Sequence, residues 1–500
     1  MTLLYPFRKV LLCSLFSLGM LAELTVAQQT TIAPADLSAQ PAVGQVSPYH
    51  PPASVQDQLP NGLRLLVVAD HRFPLVSIRL AVHAGNALVP PADAGLAGAV
   101  AALLTAGTAT RSSLQIAQEA DRYGGAIAAT AAPDYLTVST SGLANRVTPM
   151  FQLLSQVVLH PTFPEEEVAL YKQNALQELM AERAQPGFLA GVQFNKLLYG
   201  DNPYAVTAPT EESIGSISRT TLHRFHDRTF LPNNDAVLVV VGDVRVSVIR
   251  DLAQRYFGDT WKFGQPPQAP FLAPPVPAAR HIFIVDRPGS AQSTILLGNL
   301  GITRDAPDYF PLLVANEVLG GSFNSRLVAD IREQRGYAYG IGSANRPQLK
   351  LGSWFVSTEV RTAVTSEALK EILRQLDALR EGAITATELD QAKNYLAGSF
   401  IRNLETQAQV ADQFLMTALY HLPPNYLETY VSRVLAVTAA EAQEAARRHI
   451  RPSTATIVIV GDARQIELGL VNLQPGSMLT IFNDKGAQVG MFPPSGVGKR

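Results

Sequence analysis

The sequence predicts an α+β protein of two homologous domains of about 200 residues each, with mostly antiparallel or mixed sheets covered by helices. Three observations predict it. Two apolar, strand-like endings, at Leu238 to Asp243 and Val458 to Asp462, both close on Val-Gly-Asp, and their glycines lie 219 residues apart. Strand-like and helix-like segments come in runs, not in strict alternation. Between the two repeats, residues 264–277 hold six prolines and neither a helical nor a strand period, the composition of a linker. The expected organisation is a signal peptide (1–27), a flexible lead-in (28–58), a first domain (59–263), the linker (264–279), a second domain (280–465) and a C-terminal appendage (466–500).

In the first domain, a turn at Pro60, Asn61 and Gly62 precedes strands over Leu63 to Ala69 and Leu75 to Val82. In the second strand Val76, Ile78, Leu80 and Val82 alternate with Ser77, Arg79, Ala81 and His83, the period of a sheet with one buried face. Ala94 to Leu104 is apolar and Ala-rich, a buried helix. Ser112 and Gln115 form a capping box for a helix ending at Gly124 and Gly125. Strands at Ala126 to Ala131 and Tyr135 to Ser141 follow, then three helices, the longest from Glu165 to Ala184.

The order recurs after the linker. Strands near His281 to Val285 and Ser293 to Gly298 precede an apolar helix, Phe310 to Leu319. Gly320 and Gly321 stop that helix. A polar turn then opens a short helix, Ser325 to Glu333, which Gly336 breaks before a strand beginning at Tyr337. A strand Gly352 to Val360, an amphipathic helix Ser366 to Arg380 and a helix capped by Thr385 and Glu388 complete the pattern. In the appendage, Asn483 to Gly486 would turn a small hairpin.

The totals exclude several classes. The chain is 47% apolar and 16% charged, with a formal charge of −2, so nothing in it favours nucleic acid or an anionic membrane surface. Arg8 and Lys9, the apolar run Val10 to Ala22 and the small residues Thr25 to Ala27 describe a secretory signal. No stretch is long enough to span a membrane in the mature chain. The protein is therefore expected to be exported, and periplasmic in a Gram-negative source. The only cysteine, Cys13, lies within the signal, so disulfides, cysteine-bound metals and thiol chemistry are not expected. There is no phosphate loop, nucleotide fingerprint or Ser-His-Asp order. His223 and His226, three apart on an expected helix Arg219 to Thr229, have no Glu between them and are not expected to bind a metal, and Asp227 beside them reads as part of a charged surface.

The richest stretch runs from Gly320 to Leu327 and on through Arg332, Glu333, Gln334, Arg335, Gly336 and Tyr337 to Tyr339. Arg332 falls on the last turn of the short helix and Tyr339 just beyond it, so both are expected to face one space. The wording of this stretch closely resembles the C-terminal half of the pitrilysin/insulinase family of zinc peptidases, in its mitochondrial-processing-peptidase-like branch. The resemblance spans about residues 55 to 465. It implies that Arg332 and Tyr339 contact the scissile peptide, from the domain opposite the metal. It also implies a His-x-x-Glu-His helix in the first domain, flanked by Ala94 to Ala97 and Thr105 to Thr108 here. The three chemical positions of that motif are Gly98, Ala101 and Ala102, which can neither bind a metal nor move a proton. The family's third ligand corresponds to Glu178, a lone remnant.

The chain is accordingly expected to bind no metal and to be inactive alone. The resemblance places it beside the metal-less subunits of two-chain bacterial members, supplying Arg332 and Tyr339 to a peptide-hydrolysing site whose zinc sits in a homologous partner. Unfolded peptides are the expected substrate. The alternative is a scaffold or peptide-binding protein of the same fold with no share in catalysis.

Overall fold

A computed structural model describes residue 44 and residues 49–268, 271–473 and 478–492. The expected signal peptide, with Cys13, and most of the lead-in lie outside the described residues. No helix among the described residues is long and apolar enough to cross a membrane.

The first half holds strands β1 (Ser54–Gln58), β2 (Arg64–Ala69) and β3 (Leu75–Val82), then helix α1 (Leu96–Leu103). A two-residue pair, β4 (Gly107–Thr108) and β5 (Arg111–Ser112), leads into α2 (Ser113–Arg122), whose Ser112/Gln115 capping box is complete. Strands β6 (Ile127–Ala131) and β7 (Leu136–Leu143) follow. Five helices come next, where three were expected: α3 (Val147–Leu159), α4 (Glu165–Arg183), α5 (Pro186–Tyr199), α6 (Glu211–Ser216) and α7 (Arg219–Thr229). Strand β8 (Val237–Gly242) and helix α8 (Val246–Ala253) close the half. The strand order is β1-β2-β8-β3-β7-β6, with β2 and β8 parallel and the other pairs antiparallel.

The second half contains β9 (His281–Asp286), β10 (Gln292–Leu300), α9 (Tyr309–Asn316), β11 (Ala338–Arg346) and β12 (Ser353–Arg361). Helices α10 (Thr365–Glu381), α11 (Ala386–Arg402), α12 (Gln407–Leu419), α13 (Tyr426–Ala436) and α14 (Ala439–His449) follow. Strand β13 (Thr456–Gly461), helix α15 (Ala463–Leu473) and the hairpin β14 (Met478–Phe482) with β15 (Gln488–Phe492) end the described chain. The order β11-β12-β10-β13-β9 repeats β6-β7-β3-β8-β2 of the first half strand for strand, and again only the pair nearest the Val-Gly-Asp strand's start-of-domain neighbour, β13 with β9, is parallel among those five.

The sheets differ at the next position. In the first it is taken by β1, antiparallel to β2; in the second by β14, parallel to β9 and supplied from the far end of the chain. Strand β1 is the last five residues of the expected lead-in. It pairs through its backbone while four of its five side chains stay exposed, so it leaves no apolar period to read. Of the expected appendage, β14 and β15 likewise belong to the second sheet, and the expected turn at Asn483 to Gly486 does join them, with Gly486 donating to the Asn483 carbonyl.

Each half lends a helix to the other. Helix α5 lies on β10 and β13, where Phe194 joins a buried cluster with Val285, Val458 and Val460. Helix α12 lies on β3 and β8, and Val410, Ala411 and Phe414 share a core with Val237, Val239 and Val241. The alternate residues Leu238 and Val240 pack into the first half's own core with α1 and α3. Strand β8 is therefore buried on both faces, which accounts for its unbroken apolar run. The expectation that Leu75 to Val82 buries only one face is corrected by the same contact: Ser77 and Ala81 are buried as well, under α12.

Polar bonds stitch the seam. Arg79 Nε meets Asp412 Oδ1 at 2.7 Å, and Gln407 Nε2 donates to the Asp70 carbonyl at 2.8 Å. The Asp134 carboxylate accepts from the Tyr204 hydroxyl and from the Leu349 amide.

Candidate functional site

The family's metal positions lie on α1 and α4. Gly98 and Glu178 line one cavity of about 460 Å³, with Asn86, Ala131, Tyr171 and Glu182. A β-carbon added to Gly98 would meet nothing within 4 Å, so the cavity opens directly above it. Ala101 is buried and Ala102 exposed, and neither carries a donor. Among the described residues, the only carboxylates lining the cavity are Glu178 and Glu182. Burial, and after it the negative charge of Glu178, raises the Glu182 carboxyl; the same two causes raise the Tyr171 hydroxyl. Catalytic zinc takes three protein ligands, and this donor set does not fit it. Among the described residues no group of three or more His, Cys, Asp or Glu could hold a metal.

The histidine pair on α7 is structural. His226 is buried, its ring stacked on Phe230 at 4.4 Å and its Nε2 bonded to the Val158 carbonyl at 2.8 Å. Burial lowers its pKa. His223 packs edge-on against Phe163. Asp227 is exposed, as the charged-surface reading expects, while the His226 imidazole fills core space.

The Gly320 stretch folds as the spacing predicts in outline, with a different helix type. After α9, residues Glu317–Gly321 form a π-helical turn, and a second π-helical segment covers Val328–Gln334 in place of an α-helix. π-helical turns are uncommon and cluster at functional sites. Gly336 has φ of +61°, a left-handed stop, and Tyr339 stands on β11, the edge strand of the second sheet. Close approach of the β11 backbone requires glycine at 320, while Gly321 leaves room for the buried Glu317 side chain. A β-carbon on Gly320 would come within 2.7 Å of the Ser343 amide nitrogen, and one on Gly321 would collide with the Glu317 carboxyl. Asn316 pins the turn to β11: its Nδ2 donates to the Ser343 carbonyl at 3.1 Å, and its Oδ1 accepts from Trp354 Nε1 at 2.9 Å.

The structure brings Arg332 and Tyr339 together. The guanidinium carbon lies 5.3 Å from the Tyr339 ring centre and 4.4 Å from that of Phe323. Tyr339 is 90% exposed, and its hydroxyl has no hydrogen-bond partner among the described residues. The segment carrying Arg332 is held from beneath. Buried Asp330 accepts from Arg335 Nε at 2.7 Å and Arg374 Nη2 at 2.6 Å, and also bonds Gln375. Burial opposes the Asp330 charge, but these bonds outweigh it and keep its pKa low. Arg326 is tied to Glu388 at the start of α11, Nε to Oε1 at 2.6 Å.

Arg332 and Tyr339 do not line the cavity at Gly98. The chain thus carries a half-buried Arg beside an exposed Tyr and, elsewhere, a cavity with too few donors for zinc. Two members of the site gave no sequence signal of a role. Phe323 sits in a turn without period, and Glu317, within the expected helix Phe310 to Leu319, is only 5% exposed, its Oε1 without a partner among the described residues.

Comparison with known proteins agrees with this architecture. Residues 64–199 match the model of the insulinase family (peptidase family M16), and residues 216–396 match that of the peptidase M16 inactive domain. The chain belongs to the pitrilysin/insulinase family. Among its relatives, an uncharacterized zinc protease of Mycobacterium leprae is 29% identical over 69% of this chain and 78% of that protein. A Bacillus subtilis protein of the same description is 25% identical over 69% and 83%. A "non-peptidase homolog YmxG" of Helicobacter pylori is 24% identical over 79% and 91%. The crystal structure of a peptidase M16 inactive domain from Pseudomonas fluorescens superposes with a TM-score of 0.77 at 29% identity, covering 82% of this chain and 98% of that one.

Proposed function

We propose that this chain is the metal-less subunit of an exported two-chain zinc peptidase, lending Arg332 and Tyr339 to a site whose metal and hydrolytic water belong to a homologous partner. The observation that carries the reading is the pairing itself. A half-buried Arg guanidinium, 5.3 Å from the ring centre of an exposed Tyr on an edge strand, stands on a buried polar scaffold, while α1 has no donor at any metal position. In the assembled site Tyr339 donates its hydroxyl proton in a hydrogen bond to the oxygen of the reacting carbonyl as negative charge develops there. Arg332, always charged, holds a neighbouring substrate carbonyl or supports the same charge. The substrate is an unfolded peptide added as a strand to a free sheet edge. Strand β6 is such an edge, and its last residue, Ala131, borders the Gly98 cavity.

The test mixes the purified chain with the exported His-x-x-Glu-His homologue from the same source. The chain alone should contain no zinc and cleave nothing. It should raise the partner's turnover, and Arg332→Ala or Tyr339→Phe should cut that gain by about a hundredfold, the scale of one lost oxyanion donor, with assembly by sedimentation unchanged. Unchanged turnover in both variants would reject the shared site.

A second reading is a catalytically silent scaffold or peptide-binding protein. The Helicobacter pylori relative named a non-peptidase homologue supports it. Under this reading peptide binding survives in the Arg332 and Tyr339 variants, and turnover never depends on the chain.

A further inference from the structure

We infer that Phe323 is the positioning residue for Arg332, fixing the direction in which the guanidinium presents its N–H donors. The functional consequence rests on the shared-site reading above; the geometry does not. Phe323 is 69% exposed, so burial of its own apolar surface does not explain where it stands. Its ring is the aromatic surface nearer to Arg332, at 4.4 Å against 5.3 Å for Tyr339. The only ion pair of Arg332 among the described residues is with Glu333, the next residue, at 3.2 Å. Glu333 is itself 61% exposed, and a solvated neighbour on its own flexible stem imposes little direction.

The turn bearing Phe323 is, by contrast, rigidly placed. The two glycines seat it against Ser343 and Glu317, Asn316 ties it to β11, and the Ser325 amide closes it on the Ser322 carbonyl at 3.2 Å. A guanidinium lying over a ring keeps one face against the π cloud and turns its in-plane N–H groups outward. Phe323 therefore does for Arg332 what a carboxylate partner would do, without occupying any of its donors. Apart from Nε, which meets Glu333 at 3.2 Å, that leaves the N–H groups of the fork free for a peptide carbonyl.

The experiment uses the full chain with Phe323→Leu, which keeps an apolar side chain but removes the π face, and Phe323→Tyr, which keeps the face. The readout is ¹⁵N relaxation of the Arg332 Nε–Hε group, assigned with Arg332→Lys. Order in the parent and in Phe323→Tyr, lost in Phe323→Leu at an unchanged melting temperature, supports the inference. Equal order in Phe323→Leu overturns it, whatever the activity. With the zinc-binding homologue added, Phe323→Leu should lower kcat about two- to fivefold, the factor of one exposed cation–π contact, with Phe323→Tyr restoring it. If Arg332→Ala leaves turnover untouched while the relaxation still responds to Phe323→Leu, positioning stands and the shared site falls.

Discussion

Arg79 of β3 and Asp412 of α12, 333 positions apart in sequence, meet at 2.7 Å across the seam between the halves. The Arg79 side chain is only 11% exposed, and its other bond is to the Ile78 carbonyl beside it. Asp412→Ala removes the partner and leaves a desolvated cation. Because Asp412 itself is mostly solvated, the expected cost is modest, about 1 kcal/mol. Replacing Arg79 by Met in that background should recover part of the loss. The midpoint of urea unfolding measures both.

The glycine pair makes a second prediction. Gly321→Ala forces a methyl group onto the Glu317 carboxyl, and overpacking of this kind costs about 1–3 kcal/mol. Glu317→Ala vacates that space, so the double variant should be more stable than the sum of the single changes implies, as coupled neighbours are. Additive losses in thermal unfolding would show that the clash is relieved by some other route.

Acid should weaken the anchor of the Arg332 segment. The bond from Arg326, helped by those from Thr385, holds the Glu388 carboxyl at about 2, below its ordinary 4.5. A depressed carboxyl contributes stability that is complete above the unfolded value and is lost as pH falls from about 4.5 towards 2. Glu388→Gln should lower stability at neutral pH and flatten the pH dependence in that window. Parallel curves for parent and variant between pH 5 and 2 would contradict it.

Metal binding should be restorable in part. Gly98 and Ala102 are four apart on α1, and Glu178 borders the same cavity as Gly98. Gly98→His with Ala102→His would supply two ligands on one helical face beside that carboxylate, the three that zinc requires. Metal analysis after dialysis against zinc should show binding in the double variant and none in either single one. Without a base at Ala101, no peptidase activity should accompany it.

The sequence was most legible where a local pattern matched a local cause. The Ser112 and Thr385 capping boxes, the extent of β3 and the paired Val-Gly-Asp strands all occur where expected. It was least legible where the partner is remote. Helices α5 and α12 pack on sheets of the opposite half, so no neighbouring segment announces them. Strand β1 is held by its main-chain pairing with β2 and by an Asp57–Arg250 ion pair, with no apolar period. The spacing of Arg332 and Tyr339 carried information only through the family resemblance, and the contact of Arg332 with Phe323 needed coordinates, because a turn has no period to count.

The reciprocal lending of helices also sets an order of events at the ribosome. All six strands of the first sheet have been synthesised by Gly242, yet the face made by Val237, Val239 and Val241 has no cover until α12 emerges, ending at Leu419. A nascent chain paused at the linker would present that apolar face to water and to any holdase at hand. The first half's sheet therefore gains its second cover only when the second half's helices arrive.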